Sequence, residues 1–376
     1  MKLTAKLRLK PTPEQSEILE RTLIRANEAC NYISDVAWNN QVFRQFDLHK
    51  LVYQDVKAKF GLSAQVVVRC ISKVSDAYKL DKFRKRTFKL NGSIAYDIRI
   101  LRYYTEKDLV NIWTLEGRQK IDFVAFGKHK DLLKYQKGES DLVKIGGKWY
   151  LFATCDIEDT DEFDPEAILG VDLGVVQIAS DSDGESFSGS QVNSVRNRRQ
   201  RQRRRLQAKC TKSAKRVLES LRRKESRFSK DVNHQISKAI VDKAKCTNRA
   251  IAIEDLKGIR SRIKARKSQR YRLHSWSFYD LVEKIKYKAK LAGVPVVLVN
   301  PRNTSKTCSN CGHCSKSNRK NQSEFQCVSC GFVANADTNA AKNISILGWA
   351  VINQPDGSRL AEICDVFGKV NVVPNP

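Results

Sequence analysis

The spacing of four cysteines constrains this chain most. In "TCSNCGHCSKSNRKNQSEFQCVSCGF", Cys308, Cys311, Cys327 and Cys330 stand as C-x2-C-x15-C-x2-C. Two such pairs suit one tetrahedral Zn²⁺ held by four thiolates with no open position, which makes the site structural. Gly312 and Gly331 follow each pair as tight-turn residues. Cys314, which stands in the same C-x2-C relation to Cys311, and His313 are alternative donors, and the symmetry of the two pairs favours the first set. Five of the 11 cysteines fall in 308–330, while Cys30, Cys70, Cys155, Cys210, Cys246 and Cys364 are scattered. That distribution fits a metal site in a reducing compartment rather than a disulfide framework.

Charge narrows the partners. Lys and Arg number 69 against 41 acidic residues, a net charge of +28 over 376 residues. So basic a surface suits polyanions, nucleic acid first and a membrane surface second. No run of about 18 apolar residues is present to span a bilayer. The opening "MKLTAKLRLKPTPEQ" has no signal-peptide core, so a cytoplasmic or nucleoid-associated protein without a membrane partner is expected.

The hydrophobic period changes along the chain. Leu3, Ala5, Leu7 and Leu9 alternate as in a strand. Thr12, Pro13 and Gln15 then read as N-cap, N1 and capping-box partner of a helix, and helical spacing continues to about residue 85. From 87 to 157 the period is two. "SIAYDIRIL" puts Ile94, Tyr96, Ile98 and Ile100 on one side, and "LVKIGGKWYLFATC" is a hairpin turning at Gly146 and Gly147. A barrel is expected there, completed by strand 2–9, with the helical module inserted. Tyr103, Tyr104, Trp113 and Trp149 are assigned to its core rather than to a binding role. Seven acidic residues in "DIEDTDEFDPEA", 156–167, read as a solvated hinge. Beyond it, "ILGVDLG", "VVQIASD" and "ESFSG" are strands, followed by alternating helix and strand through "AIAIEDL", "HSWSFYDLVEKIKYKAKLAG" and "VPVVLVN". The expectation is an α/β layer with a mixed sheet.

Three acids stand where chemistry is expected. Asp172 ends the first strand of that layer, Glu254 ends "RAIAIEDL", and Asp337 precedes the helix "TNAAKNI". If folding brings them together, their mutual repulsion calls for hard divalent cations, and a pair of Mg²⁺ or Mn²⁺ ions suits phosphodiester hydrolysis. Asp255 competes with Glu254, because strand alternation sends the two to opposite faces. A turn role is the plain alternative for Asp172. "VDLG" also resembles the phosphate-loop start of actin-like sugar kinases and chaperone ATPases, although Val175 and Val176 replace the usual Thr or Ser.

Residues 196–230 carry 16 Lys and Arg against two Glu. Leu206, Cys210, Ala214, Val217, Leu221, Phe228, Val232 and Ile236 recur at near-helical steps, giving an apolar stripe with basic flanks. Arg198, Arg199, Arg201, Arg203, Arg204, Arg205, Lys209 and Lys212 are the candidate phosphate contacts, to RNA or DNA.

"GVDLG", "AIEDLKGI", "NTSKTCSNCG" and "CGFVANADTNAAKNI", with "LRLKPTPEQ" near the start, resemble TnpB. This is the insertion-sequence-encoded, RNA-guided endonuclease family ancestral to type V CRISPR effectors. The resemblance runs to about residue 348 and is most specific in the C-terminal half. It implies a multidomain α/β protein. Residues 1–11 and 86–160 would form a wedge β-barrel and 12–85 an inserted helical recognition module. Residues 166–303 and 334–350 would form an RNase H-like (RuvC) nuclease core and 304–333 a zinc ribbon, leaving 351–376 as a tail expected to be disordered. Asp172, Glu254 and Asp337 occupy the catalytic, Mg²⁺-holding positions of that family, and Cys308, Cys311, Cys327 and Cys330 its zinc positions.

The expected function is RNA-guided cleavage of double-stranded DNA beside a short duplex motif, by a protein expected to be a monomer. The guide RNA is implied by the resemblance alone. The alternatives are a compact type V CRISPR effector, a guided binder without cleavage, a strand-joining transposase and the ATPase above.

Overall fold

The computed structural model describes residues 1–125, 127–257 and 278–353. The chain divides between Glu158 and Asp159 into two compact units.

The first unit opens with β1 (Lys2–Lys10), followed by α1 (Pro13–Asn40), α2 (Gln45–Phe60) and α3 (Ala64–Leu80). Thr12 caps α1 in a capping box with Gln15, and Pro13 takes the first helical position, where no backbone N–H is missed. β2 (Ile94–Tyr96), β3 (Leu101–Tyr104), β4 (Leu109–Thr114), β5 (Gly117–Ala125), α4 (Lys128–Leu132), β6 (Gln136–Ile145) and β7 (Lys148–Asp156) complete the unit. The seven strands run in the order β2-β6-β7-β1-β5-β4-β3, so β1 is the middle strand. Ala5, Leu7 and Leu9 of β1 are buried, as are Trp149 and Leu151 of β7. Gly146 and Gly147, both at positive φ, make the β6–β7 turn. The two edge strands β2 and β3 are joined by residues 97–100 alone, which requires the sheet to curl. Tyr103 of β3 donates to Ser140 Oγ of β6 at 2.9 Å across the gap, so the sheet is partly closed.

One expected strand is broken. "SIAYDIRIL" stops pairing at Asp97, whose carboxylate accepts the Arg99 N–H at 3.0 Å while its carbonyl accepts those of Ile100 and Leu101. This turn draws the backbone out of the ladder and leaves Ile98 77% exposed.

The second unit holds β8 (Ala167–Asp172), β9 (Gln177–Asp181), β10 (Ser186–Ser188), α5 (Ser190–Lys209), α6 (Lys212–Leu221), α7 (Lys224–Cys246) and β11 (Arg249–Glu254). After α8 (Phe278–Ala292) and β12 (Val296–Val299) come β13 (Glu324–Gln326), β14 (Val333–Asn335) and α9 (Ala336–Ile352). Residues 258–277, with the start of the expected 274–293 helix, lie outside the described residues.

Five strands form a mixed sheet in the order β10-β9-β8-β11-β12, with β8, β11 and β12 parallel. Strand alternation divides its side chains between two cores. Leu169, Val171, Ile251 and Ile253 pack with Ile236 and Ile240 of α7 and Leu281 and Ile285 of α8. Ile168, Ala250 and Ala252 face the other way, with Ile344 and Leu347 of α9. α9 lies close against the strands because Gly170 and Gly348 lack side chains. A Cβ on Gly170 would fall 2.0 Å from the Ala341 carbonyl oxygen, and one on Gly348 would fall 2.5 Å from Ala252 Cβ. Ser345 Oγ adds a hydrogen bond to the Ile168 carbonyl at 2.8 Å.

Three further expectations are corrected. The acidic 156–167 segment is not solvated throughout, since Phe163 and Glu166 donate backbone N–H groups to the carbonyls of Gly293 and Asn248. The stripe over 206–236 is not one helix either. The backbone turns left-handed at Cys210 and Arg223, which splits it into three helices and leaves Cys210 and Val217 exposed. Finally, α9 continues through Ile352, into the expected tail; residues 354–376, including Cys364, lie outside the described residues. Among the described residues no helix is long and apolar enough to cross a membrane.

Candidate active site

The two cores fix where the carboxylates point. Asp172 shares its parity with Ile168 and Gly170, and Glu254 with Ala250 and Ala252, so both face α9. Val171 pairs with Ile253 in parallel register, which leaves Asp172 and Glu254 as neighbours at the carboxyl ends of their strands. Asp337 lies in the first turn of α9, where Asn335 Oδ1 caps the helix by accepting the N–H groups of Asp337 and Thr338 at 2.9 and 3.2 Å. All three acids line one cavity of about 400 Å³, together with Thr304, Arg319 and Gln322. The carboxyl ends of parallel strands are where open α/β sheets bind ligands. Asp255 lines the same cavity, but its side chain is exposed and accepts the Lys257 N–H at 3.0 Å.

Burial marks all three acids electrostatically, and at Asp172 crowding adds to it. Burial, followed by the charges of Glu254 and Asp337, pushes Asp172 up to about 8. Burial also raises Glu254, which is 8% exposed, against the Thr304 hydroxyl, which favours the ionised form. Asp337 is likewise raised by burial and drawn back by Arg319, whose Nη2 lies 3.7 Å from Asp337 Oδ1.

Arg319 and Thr304 were not singled out from the sequence. Arg319 belongs to the cysteine-rich segment and donates from Nη2 to the Gln322 carbonyl at 2.9 Å. Thr304 is buried and donates to Glu254 Oε1 at 2.5 Å. Asn339 and Asn343, four apart on α9 and both buried, secure the approach to the cysteines. Asn343 Nδ2 donates to the carbonyls of Thr304 and Thr307 at 2.8 and 2.7 Å, and Asn339 Nδ2 donates to Thr307 at 2.8 Å. The i, i+4 amides on an otherwise apolar helix face were the available signal.

The cysteine ligand set also forms. The sulfurs of Cys308, Cys311, Cys327 and Cys330 lie within 4.8 Å of one another, with Cys308–Cys330 at 3.7 Å and Cys311–Cys327 at 3.6 Å. A tetrahedron with Zn–S of about 2.3 Å has edges of about 3.8 Å, so this donor set fits a zinc site. Each pair has the same backbone wiring. Gly312 donates to Cys308 and Gly331 to Cys327, while the N–H groups of Cys308 and Cys327 reach the carbonyls of His313 and Phe332. Cys314 is exposed and outside the set. Among the described residues, the three carboxylates do not form a ligand group of that compactness.

The candidate phosphate contacts fall on α5 and the start of α6. Arg198, Arg201, Arg203, Arg204, Arg205, Lys209 and Lys212 are exposed. Arg199 is half-buried and donates to Gln202 Oε1 at 2.9 Å, and Arg203 pairs with Glu225 at 3.2 Å. Of these, Arg199 and Arg203 border, with α6 and α7, a cleft of about 580 Å³ whose lining includes Leu218 and Leu221.

Two family models match parts of the chain, one described as "Probable transposase" over residues 153–259 and one as "Cas12f1-like, TNB domain" over residues 278–344. The TnpB-like protein MJ0751 of Methanocaldococcus jannaschii is 36% identical over 131 residues, covering 35% of this chain and 46% of that protein. The CRISPR-associated endodeoxyribonuclease Cas12f1 of Sulfoacidibacillus thermotolerans is 37% identical to this chain over 235 residues, 57% of the chain and 54% of that protein. These matches span about half the length of each curated relative. The protein in a solved Cas12f1–sgRNA–target DNA complex superposes on 89% of the chain and 83% of its own length, with a TM-score of 0.60 and 19% identity. The fold is therefore a multidomain α/β architecture of the Cas12f kind.

Proposed function

We propose that this TnpB-like chain is an RNA-guided, metal-dependent DNA endonuclease. The observation that carries the reading is the meeting of Asp172, Glu254 and Asp337, from three distant stretches of sequence, around one cavity that Arg319 also enters. The β10-β9-β8-β11-β12 order, antiparallel then parallel, supports an RNase H-like (RuvC) core. The curled seven-stranded sheet corresponds to a wedge barrel, α1–α3 to a recognition module and residues 304–333 to a zinc ribbon.

In this reading the three carboxylates would hold two Mg²⁺ or Mn²⁺ ions, hard cations that suit an all-oxygen donor set and offset the burial and crowding that raise Asp172. Such ions supply an activated water and stabilise the leaving oxygen of a phosphodiester. Arg319 offers a guanidinium to the phosphate beside Asp337. The four cysteines hold Zn²⁺ as a structural ion. The exposed Arg and Lys of α5 and α6 follow the phosphates of guide RNA or of its duplex with target DNA. Base pairing then selects the target, and the protein reads only a short adjacent duplex.

The test is plasmid cleavage by the complex purified with its co-purifying RNA. Site-specific, Mg²⁺-dependent cutting that Asp172→Ala abolishes, with guided DNA binding retained, is the expected result. Cutting by the Asp172→Ala protein overturns the assignment. The Cas12f1-like match over residues 278–344 favours a type V CRISPR-associated protein as the second reading. Sequencing the bound RNA decides, because repeat-derived guides point to that class and transposon-end transcripts to TnpB proper.

A further inference from the structure

The carboxylates of the proposed site differ in how they are held. Asp172 and Asp337 face the cavity from a strand end and a helix start. Glu254 is the most enclosed of the three, and one of its oxygens is already engaged. Thr304 Oγ1 lies 2.5 Å from Glu254 Oε1 and 3.2 Å from the Pro301 carbonyl. A hydroxyl has one proton, and the shorter, charge-assisted bond to the carboxylate takes it.

Thr304 is itself fixed. It is 2% exposed, and its carbonyl accepts from Asn343 Nδ2 at 2.8 Å. Asn343 is 1% exposed and sits on α9, the helix whose first turn carries Asp337. The path from Asp337 through α9, Asn343 and Thr304 to Glu254 thus consists of a helix and two buried hydrogen bonds. Such a path transmits position rather than charge.

We propose that Thr304 is the positioning residue of the cavity: its hydroxyl occupies Glu254 Oε1, so that Oε2 is presented to a divalent cation, and Asn343 sets the hydroxyl in register with Asp337. This rests on the nuclease reading of the three acids. Groups that hydrogen-bond metal-binding carboxylates typically alter affinity or activity about 10- to 100-fold.

The experiment compares Thr304→Val, Thr304→Ser and Glu254→Gln, each purified with its RNA. Two readouts are used: Mn²⁺ binding followed by loss of the free-ion electron paramagnetic resonance signal, and the Mn²⁺ dependence of cleavage. Val keeps the shape and removes the hydroxyl; Ser keeps the hydroxyl and removes the methyl. Expected are Mn²⁺ binding about 10- to 100-fold weaker for Thr304→Val, with a matching rise in the Mn²⁺ needed for cleavage, and near-native values for Thr304→Ser. A packing role gives the reverse order. Native Mn²⁺ binding by Thr304→Val, or equal losses in both variants, overturns the proposal. If Glu254→Gln itself binds Mn²⁺ and cuts like the native protein, it is the reading of the acid site that fails.

Discussion

Asp172 and Glu254 stand side by side, each one residue beyond the paired Val171 and Ile253 of two parallel strands. Neighbouring strands are about 4.8 Å apart, so the two carboxylates share one small volume from opposite ends of an 82-residue separation in sequence (254 − 172). Replacing either is predicted to remove cutting while sparing guided DNA binding. Glu254→Gln and Asp172→Ala are each expected to lower the cleavage rate at least about 10³-fold, measured beside an electrophoretic shift of target DNA.

Burial of Asp172, with the crowding added, sets a pH dependence for the protein without Mg²⁺ or Mn²⁺. Asp172 is pushed up to about 8 from an ordinary 3.8, so the folded state holds its proton through a range in which the unfolded chain has released it. Stability from this group is therefore full below about pH 4 and declines as pH rises toward 8. In buffer free of Mg²⁺ and Mn²⁺ but with the zinc kept in place, the melting temperature is expected to fall between pH 5 and 8 by on the order of 5 °C, less steeply for Asp172→Asn, and Mg²⁺ is expected to restore it. Calorimetry across that range checks the slope.

Losing the cysteine-bound ion is predicted to reach the acid cavity. Arg319 and Gln322 of the cysteine-rich segment line that cavity, and β14 runs directly into α9. Cys327→Ser is expected to lose stoichiometric zinc and to reduce cleavage at least about 10-fold. Metal analysis beside a cleavage assay tests this, and intact Mg²⁺-dependent cutting without zinc would count against it.

Gly170→Val is predicted to be among the most damaging changes in the second unit. Its Cβ would fall 2.0 Å from a backbone oxygen of α9, an atom that cannot turn aside. A loss of about 3 kcal/mol or more in urea unfolding is expected, with displacement of Asp337 as its functional effect.

The arginines of α5 are predicted to act through phosphate. Arg204 and Arg205 are exposed, and replacing both by Ala is expected to weaken RNA binding at every sequence alike. The slope of log affinity against log salt should flatten by about one for each phosphate that is no longer neutralised.

Local chemistry explains how much was legible. The cysteine spacing, the capping box at Thr12 and Gln15 and the Gly146–Gly147 turn are short-range patterns whose geometry follows from a few adjacent residues, and each is present. The three acids were readable as candidates, but their meeting depends on the register of β8 against β11 and on α9 crossing both. That information is spread over more than a hundred residues. The choice between Glu254 and Asp255 needed to know which sheet face receives α9. Periodicity misled where a polar side chain competed with it, as at Asp97, or where the backbone turned left-handed without glycine, as at Cys210 and Arg223. Thr304 and Arg319 escaped notice because a lone hydroxyl and one cation among 69 basic residues carry no pattern.

Asn339 and Asn343 tie the chain on its way into the cysteine-rich segment to the same helix that receives the chain on its way out. Entry and exit are thus moored to a single rigid bar, and the loop between them hangs from it like a bucket from its handle. A designer exchanging the contents of that loop for those of a relative of different length must therefore keep both moorings, and with them Arg319 and Gln322, which reach from the loop into the acid cavity.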